Sequence, residues 1–420
     1  MPEEASHSSP TGAAGAPGDL AIVLTGGGAR AAYQVGVLRG IARHLPGARL
    51  DIVTGVSAGA INASFLASRS SDVASAVEEL VALWRDLEIQ DVFRVDLGSL
   101  AGHLSRWMAR LASGGVARVE TKGLVDTGPL AALLGRALPR RPGGEIAGIA
   151  ENVARCSPRA VALTTLDYRT GQTVTWVQGC GINLWERPLR RSVETRLTVD
   201  HVMASAALPL FFPAIRLGDS WYGDGGIRLS APLSPALHLG AQRILAISTS
   251  HRKTFAEADR PSSTGYPPPA QIFGHLASSV FLDVIDQDAM RLERSNRFLA
   301  QLPVHEREGF RVVDLQVVRP SQDLGRLAGE YESRLPRAFR FLTRGWGTRE
   351  TSSPDLLSLL MFEPAYLRRL IEIGEADAAA RSGEILALAQ PRRADAGQGS
   401  VPLDPAADLG PYGRPEAAAV

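Results

Sequence analysis

The sequence predicts an α/β fold: a three-layer α/β/α arrangement around a central, mostly parallel sheet. Two observations lead there. Short apolar runs that suit buried strands recur along the chain, and segments with helical periodicity stand between them. Alternation of this kind builds a parallel sheet covered by helices on both faces.

The first run is LAIVLTG (20–26), a buried strand, followed by three glycines. Val35, Leu38, Ile41, Ala42 and Leu45 then recur at the spacing of one helical face. The next unit repeats the plan, with LDIVTG (50–55) as strand and SAGAINASFLAS as helix. AVALTTLDYRTGQTVTWVQ (160–178) predicts a hairpin turning at Tyr168–Gly171. RILAIST (243–249) and RVVDLQVV (311–318) predict two further buried strands. Residues 1–18 and 391–420 are small, polar and rich in Pro and Gly, which predicts disordered tails around one folded region, 19–390. The Ser/Pro-rich stretch 259–270 reads as a surface loop.

Composition narrows the functional classes. A net charge of +1 gives no electrostatic reason to expect nucleic acid or acidic partners. Lys122 and Lys253 are the only lysines among 45 basic residues, a bias that suits a GC-rich genome better than a binding role. The N-terminus is acidic and lacks an apolar signal region, and no apolar run is long enough to span a bilayer. The two cysteines, Cys156 and Cys180, provide neither a disulfide framework nor a metal cluster and read as filler in a reducing compartment. The expectation is a cytoplasmic chain with a peripheral membrane surface as candidate partner. The sequence does not disclose its oligomeric state.

Gly55-Val56-Ser57-Ala58-Gly59 matches the nucleophile-elbow pattern G-x-S-x-G between a predicted strand and helix. Such a turn strains the backbone at the serine and projects its hydroxyl, while flanking glycines let neighbouring segments pass close. Gly26-Gly27-Gly28-Ala29-Arg30 lies at a similar junction. Backbone N–H groups turned toward one point there would cradle a nucleotide phosphate or an acyl-transfer oxyanion. The dinucleotide fingerprint fails at Ala31, and the Walker Gly-Lys-Ser/Thr is missing, which favours the oxyanion hole. No histidine sits where a catalytic loop is expected; His201 and His238 fall within predicted helices. Asp224, after a short strand in WYGDGGIRL, is a candidate base, although Asp-Gly-Gly by itself is turn chemistry.

Taken together, GGGARAAYQVGVL, GVSAGAINASFLA and YGDGG, in that order, make the chain resemble the patatin-like phospholipase family. The likeness continues through ASAALPLFFPAIRL and the late SLLMFEPAYLRRLIEIGEADA, covering roughly residues 19–385. The resemblance implies a Ser57–Asp224 dyad without histidine and an oxyanion hole at Gly26, Gly27 and Gly28. It implies supporting positions at Arg30, Gly55, Gly59, Gly225 and Gly226, and no cofactor or metal. It departs from the family at Ala31, where glycine is usual. The implied activity is hydrolysis of lipid or phospholipid acyl esters through an acyl-enzyme. An acyltransferase or thioesterase would use the same dyad, and a non-catalytic member would bind lipid or protein. Leu100, Leu104, Trp107, Met108 and Leu111 share one face of 99–112, which suits either an interfacial lid or a helix packed on the core.

Overall fold

The computed structural model describes residues 19–45, 47, 49–69, 72–94, 102, 105, 123–252, 254, 257, 259, 269–281, 283–336, 339–340 and 355–390. Both predicted tails and nearly all of the 99–112 segment and the 259–270 insert lie outside them.

Ten strands form one sheet among these residues: β1 (Leu20–Leu24), β2 (Ile52–Val56), β3 (Ala160–Asp167), β4 (Thr173–Gly179), β5 (Glu186–Arg187), β6 (Arg190–Glu194), β7 (Ile215–Leu217), β8 (Ser220–Asp224), β9 (Arg243–Ile247) and β10 (Asp314–Val318). The order is β10-β9-β1-β2-β3-β4-β6-β5, with β8 on β3 and β7 on β8. The run from β10 to β3 is parallel throughout; antiparallel pairs gather beyond it, at β3–β4, β3–β8, β7–β8 and β5–β6. The predicted hairpin is β3–β4, and its turn spans the expected residues.

Alternation along the strands separates two cores. Ile22, Leu24, Val53, Val161 and Leu163 join the larger one, while Ala21, Val23, Ile52, Ala160 and Ala162 face the smaller one. The helices around the sheet include α1 (Ala31–His44), α2 (Ala58–Ser68), α3 (Val73–Arg85), α4 (Gly128–Ala137), α5 (Val199–Ser205), α6 (Ser234–His238), α7 (Val284–Leu299), α8 (Asp355–Leu360) and α9 (Pro364–Ala380). The first three, with α8 and α9, pack in the larger core; α6 and α7 cover the opposite face. α2 is apolar on every side and buried from Ala58 to Ala67, as such a helix requires.

Three sequence expectations need revision. α1 is buried nearly all round rather than on one face, because α9 covers its second side at backbone contact. A Cβ on Gly36 would overlap the Ile371 carbonyl, and one on Gly374 the Tyr33 carbonyl. The 311–318 run is shorter and half-exposed, because β10 forms the sheet's edge. Finally, Cys156 and Cys180 are joined in a disulfide, with Cα atoms 5.9 Å apart. Counting cysteines missed what register decides. The β3–β4 pairing sets Gly179 opposite Ala160, and the Cys180 N–H donates to the Arg159 carbonyl beside the end of the helix Ala147–Ala154. Disulfides persist in oxidising settings, so the reducing-compartment expectation loses its basis. No described helix is long and apolar enough to cross a membrane.

The α1–α9 contact yields a first prediction. Gly36→Ala should destabilise the chain by about 1–3 kcal/mol, since its methyl has no space against Ile371. An unchanged urea midpoint would contradict that close approach.

Candidate active site

β2 ends at Val56, α2 begins at Ala58, and Ser57 between them holds φ 57° and ψ −132°. Side chains rarely enter that region, and such strain costs on the order of 1–3 kcal/mol unless its surroundings enforce it. Here they do. The Ser57 N–H donates to Ser205 Oγ at 3.0 Å, and the Ser205 hydroxyl donates to the Thr164 carbonyl at 2.7 Å. A Cβ on Gly55 would collide with the start of α2, and one on Gly59 with the carbonyls of Leu24 and Thr25. The two glycines therefore let strand, turn and helix close on one another.

Asp224 arrives along the same edge of β3 from the opposite direction. β2 pairs with β3 only as far as Val56 opposite Thr164; β8 then occupies that edge of β3, with Asp224 opposite Thr165. Asp224 is the last residue of β8 rather than the first after it. Its N–H donates to the Ala207 carbonyl at 3.0 Å, and its Oδ1 accepts from the Gly226 N–H at 2.8 Å. Gly225 lies so close to β3 that a Cβ would overlap the Thr164 carbonyl. The carboxylate is fully buried, and loss of solvent pushes its pKa up to about 7. The Ser57 side chain and the Gly226 N–H oppose that rise by hydrogen bonding. Oδ2 nevertheless lacks a partner of full hydrogen-bond geometry, which leaves the carboxylate with acceptor capacity to spare. Among the described residues no hydrogen bond joins a histidine to Ser57. His201 Nδ1 is engaged with Thr198, and burial takes its pKa down to about 4. His238 stacks on Trp185.

The glycine loop closes the third side. Gly26 packs on Ser57, since a Cβ there would stand 3.1 Å from Ser57 Cβ. Gly27 and Gly28 have φ of 150° and 54°, and Gly28 abuts the Leu359 carbonyl of α8, so neither position admits a side chain. The loop's outward carbonyls are engaged. Gln34 Nε2 donates to the Thr25 carbonyl at 2.7 Å and Thr249 Oγ1 to the Gly26 carbonyl at 2.6 Å. Arg30 does not face the pocket's polar end. It is buried, donates from Nε to Ser358 Oγ at 2.6 Å, and pairs with Asp355, which ties the loop to α8. Ala31 adopts φ −65°, a conformation open to any residue, so the departure from glycine there leaves the loop geometry intact.

Ser57, Gly27 and Gly28 form one end of a pocket whose other walls are apolar. Leu83 and Trp84 of α3, Leu134 of α4, Phe212, Leu360 and Phe362 are among them. Trp84 is held by its indole N–H, which donates to Asn62 Oδ1 at 2.8 Å.

The sequence profile described as patatin-like phospholipase matches residues 22–237, half of the chain. The chain belongs to the patatin-like phospholipase family. No curated protein matches it in sequence. Among solved structures it is similar to VipD from Legionella pneumophila, with 13% identity over 89% of this chain and 67% of that one and a TM-score of 0.34. Human GIVD cytosolic phospholipase A2 shows 11% identity over 89% and 60%, with a TM-score of 0.42. The type III effector ExoU of Pseudomonas aeruginosa shows 14% over 89% and 54%, with a TM-score of 0.34. The chain thus spans 54–67% of the length of these proteins.

In this member of the family, residues singled out from sequence alone converge: Ser57, Asp224 and the loop at Gly26–Gly28. Ser205, Thr249, Ser358 and Asp355 are the polar partners that sequence reasoning missed. Thr249 had a usable signal, because ligand sites of parallel sheets lie beyond the carboxyl ends of strands. Reading 243–249 wholly as strand hid it. Asp355 and Ser358 carried none, since only tertiary packing brings α8 to Arg30.

The buried pair leads to a second prediction. Arg30→Ala should cost on the order of 2–3 kcal/mol, because it leaves the partly buried Asp355 with the Ser278 hydroxyl alone and opens the loop's anchor. Chemical denaturation of the two proteins measures this, and a loss below about 1 kcal/mol would mark the pair as no more than a surface contact.

Proposed function

We propose that the chain is a lipid acyl hydrolase, a serine enzyme for carboxylic esters with Ser57 as nucleophile and Asp224 as general base. The observation that carries this reading is a fully buried carboxyl beside a strained serine, at the polar end of an otherwise apolar pocket. An acyl chain would lie in that pocket with its ester carbonyl at Ser57. The substrate's lipid character makes approach from a peripheral membrane surface part of the same proposal.

Asp224 accepts the Ser57 proton as Oγ attacks the ester carbonyl and forms the C–O bond. The N–H groups of the glycine loop take the resulting oxyanion, each such donor being worth about 3 kcal/mol. Collapse breaks the bond to the alcohol, which leaves with the proton from Asp224. Water then loses a proton to Asp224, attacks the acyl-enzyme, and releases the fatty acid while Ser57 regains its proton. A carboxylate with an ordinary pKa would be too weak a base; burial brings this one close to working pH.

Ser57→Ala and Asp224→Asn should each lower hydrolysis of a medium-chain p-nitrophenyl ester and of phospholipid vesicles by at least about 100-fold, with the fold retained. In the wild type, kcat/KM should fall about tenfold per unit as pH drops below about 7, because only the ionised carboxylate accepts the proton. Full turnover by Ser57→Ala would exclude this nucleophile.

The same shift has a consequence for stability. A carboxyl whose folded-state pKa is raised stabilises the fold below its unfolded value of 3.8, and that contribution is lost as pH rises through about 7. Asp224→Asn should therefore melt above the wild type at pH 8, by a margin that shrinks toward pH 5. A margin independent of pH would mean that Asp224 does not titrate in this window.

A further inference from the structure

β1 and β9 are parallel neighbours with Leu24 opposite Ile247. Two residues beyond that pair on each strand stand Gly26 and Thr249, so the register itself brings them together. Thr249 is buried at 1% exposure, and its Oγ1 donates to the Gly26 carbonyl at 2.6 Å. The other hydroxyl near that carbonyl, Thr25 Oγ1, stands at 3.4 Å and also faces the Ile247 carbonyl at 3.2 Å. Thr249 therefore supplies the short bond. It also fills the space beside Gly27, where a Cβ would overlap its hydroxyl.

A trans peptide points its C=O and the following N–H in opposite directions. A donor that holds the Gly26 carbonyl on the Thr249 side thus turns the Gly27 N–H the other way, and Gly27 also lines the pocket that contains Ser57. Among the described residues neither the Gly27 nor the Gly28 N–H meets a protein acceptor. Without a tether this peptide could rotate, since glycine on both sides of it restrains neither flanking torsion.

We propose that Thr249 is a positioning residue for the oxyanion hole: its hydroxyl locks the Gly26–Gly27 peptide with the N–H aimed at the oxygen that gains charge when Ser57 attacks. This deepens the hydrolase reading and rests on Ser57 being the nucleophile. Thr249 does not line the pocket itself. Its stiff β-branched side chain fixes the hydroxyl, and the fixed carbonyl orients the donor. The contribution belongs to the transition state and therefore to kcat.

The experiment compares wild type, Ser57→Ala, Thr249→Val, Thr249→Ala and Thr249→Ser as full chains on a medium-chain p-nitrophenyl ester, with thermal melts alongside. Thr249→Val keeps the shape and loses the donor. It should lower kcat on the order of 10- to 100-fold with KM within about twofold. An alkyl trifluoromethyl ketone, whose hemiketal places an oxyanion in the same hole, should lose affinity in parallel. Thr249→Ser restores the hydroxyl and should return kcat to within about threefold of wild type. If Thr249→Val does not fold, Thr249→Ala against Thr249→Ser makes the same comparison. A kcat in the hydroxyl-free variants equal to that of Thr249→Ser would overturn the proposal, as would a loss confined to KM. Activity abolished in Ser57→Ala and intact in Thr249→Val would refute Thr249 alone. Activity intact in Ser57→Ala would refute the nucleophile and, with it, anything that positions its oxyanion.

Discussion

Along one edge of β3, β2 holds residues 160–164 and β8 takes over at 165, and the rest of the site depends on this handover. The opposite edge is occupied by β4 over nearly its whole length. Two strands far apart in sequence must therefore end nose to nose, one delivering Ser57 just past its last pair and the other delivering Asp224 at its own. Backbone ladders define this distance, and no long side chain has to reach across. That suits Asp224, whose carboxyl is carried on a short side chain. The antiparallel entry of β8 on the edge of β3 that β2 holds in parallel is the topological cost of placing it there.

The handover also explains the chemistry of Asp224. A residue that closes a strand end against β3, with its N–H bonded to Ala207 and its neighbour Gly225 pressed on Thr164, is fully buried. Desolvation then dominates its titration, with only Ser57 and Gly226 to oppose it. Arg30, the nearest conspicuous cation of the glycine motif, would lower that pKa again if it faced the carboxylate. Its charge is spent on Asp355 and Ser358 instead. The pKa of Asp224 stays raised because the motif's arginine is paired with Asp355 rather than with it.

Much of this was readable in the chain. The alternation of strands and helices, the β3–β4 hairpin, the elbow around Ser57 and the glycine loop all rest on local signals: apolar runs, periodicity and glycines at junctions. The pairing of Ser57 with Asp224 did not. Asp224-Gly225-Gly226 is ordinary turn chemistry until the register of β8 on β3 is known, and only the family resemblance joined the two motifs. The misreadings share a cause. The Cys156–Cys180 disulfide, the second buried face of α1 and the exposed edge at β10 are all set by which elements become neighbours, and residue types record that weakly. Gln34 illustrates the same point. It is a polar residue in a helix interior whose amide bridges the Thr25 carbonyl and, through Asn62, the indole of Trp84 in the pocket wall.

The family profile ends at residue 237, yet the loop it contains is not self-sufficient. Gly26 is held by Thr249, Gly28 rests on the Leu359 carbonyl, and Arg30 is anchored by Asp355 and Ser358. All these partners lie beyond the matched segment, and α9, which follows α8 closely, is locked onto α1 through Gly36 and Gly374. Helix α1 begins where the glycine loop ends. The C-terminal helices therefore brace the loop twice, at its exit through α1 and at its apex through α8. A strained loop with unpaired N–H groups is stable only when its surroundings over-determine it. In this chain those surroundings come largely from beyond residue 237, so the glycine loop beside Ser57 depends on residues that the motifs do not include.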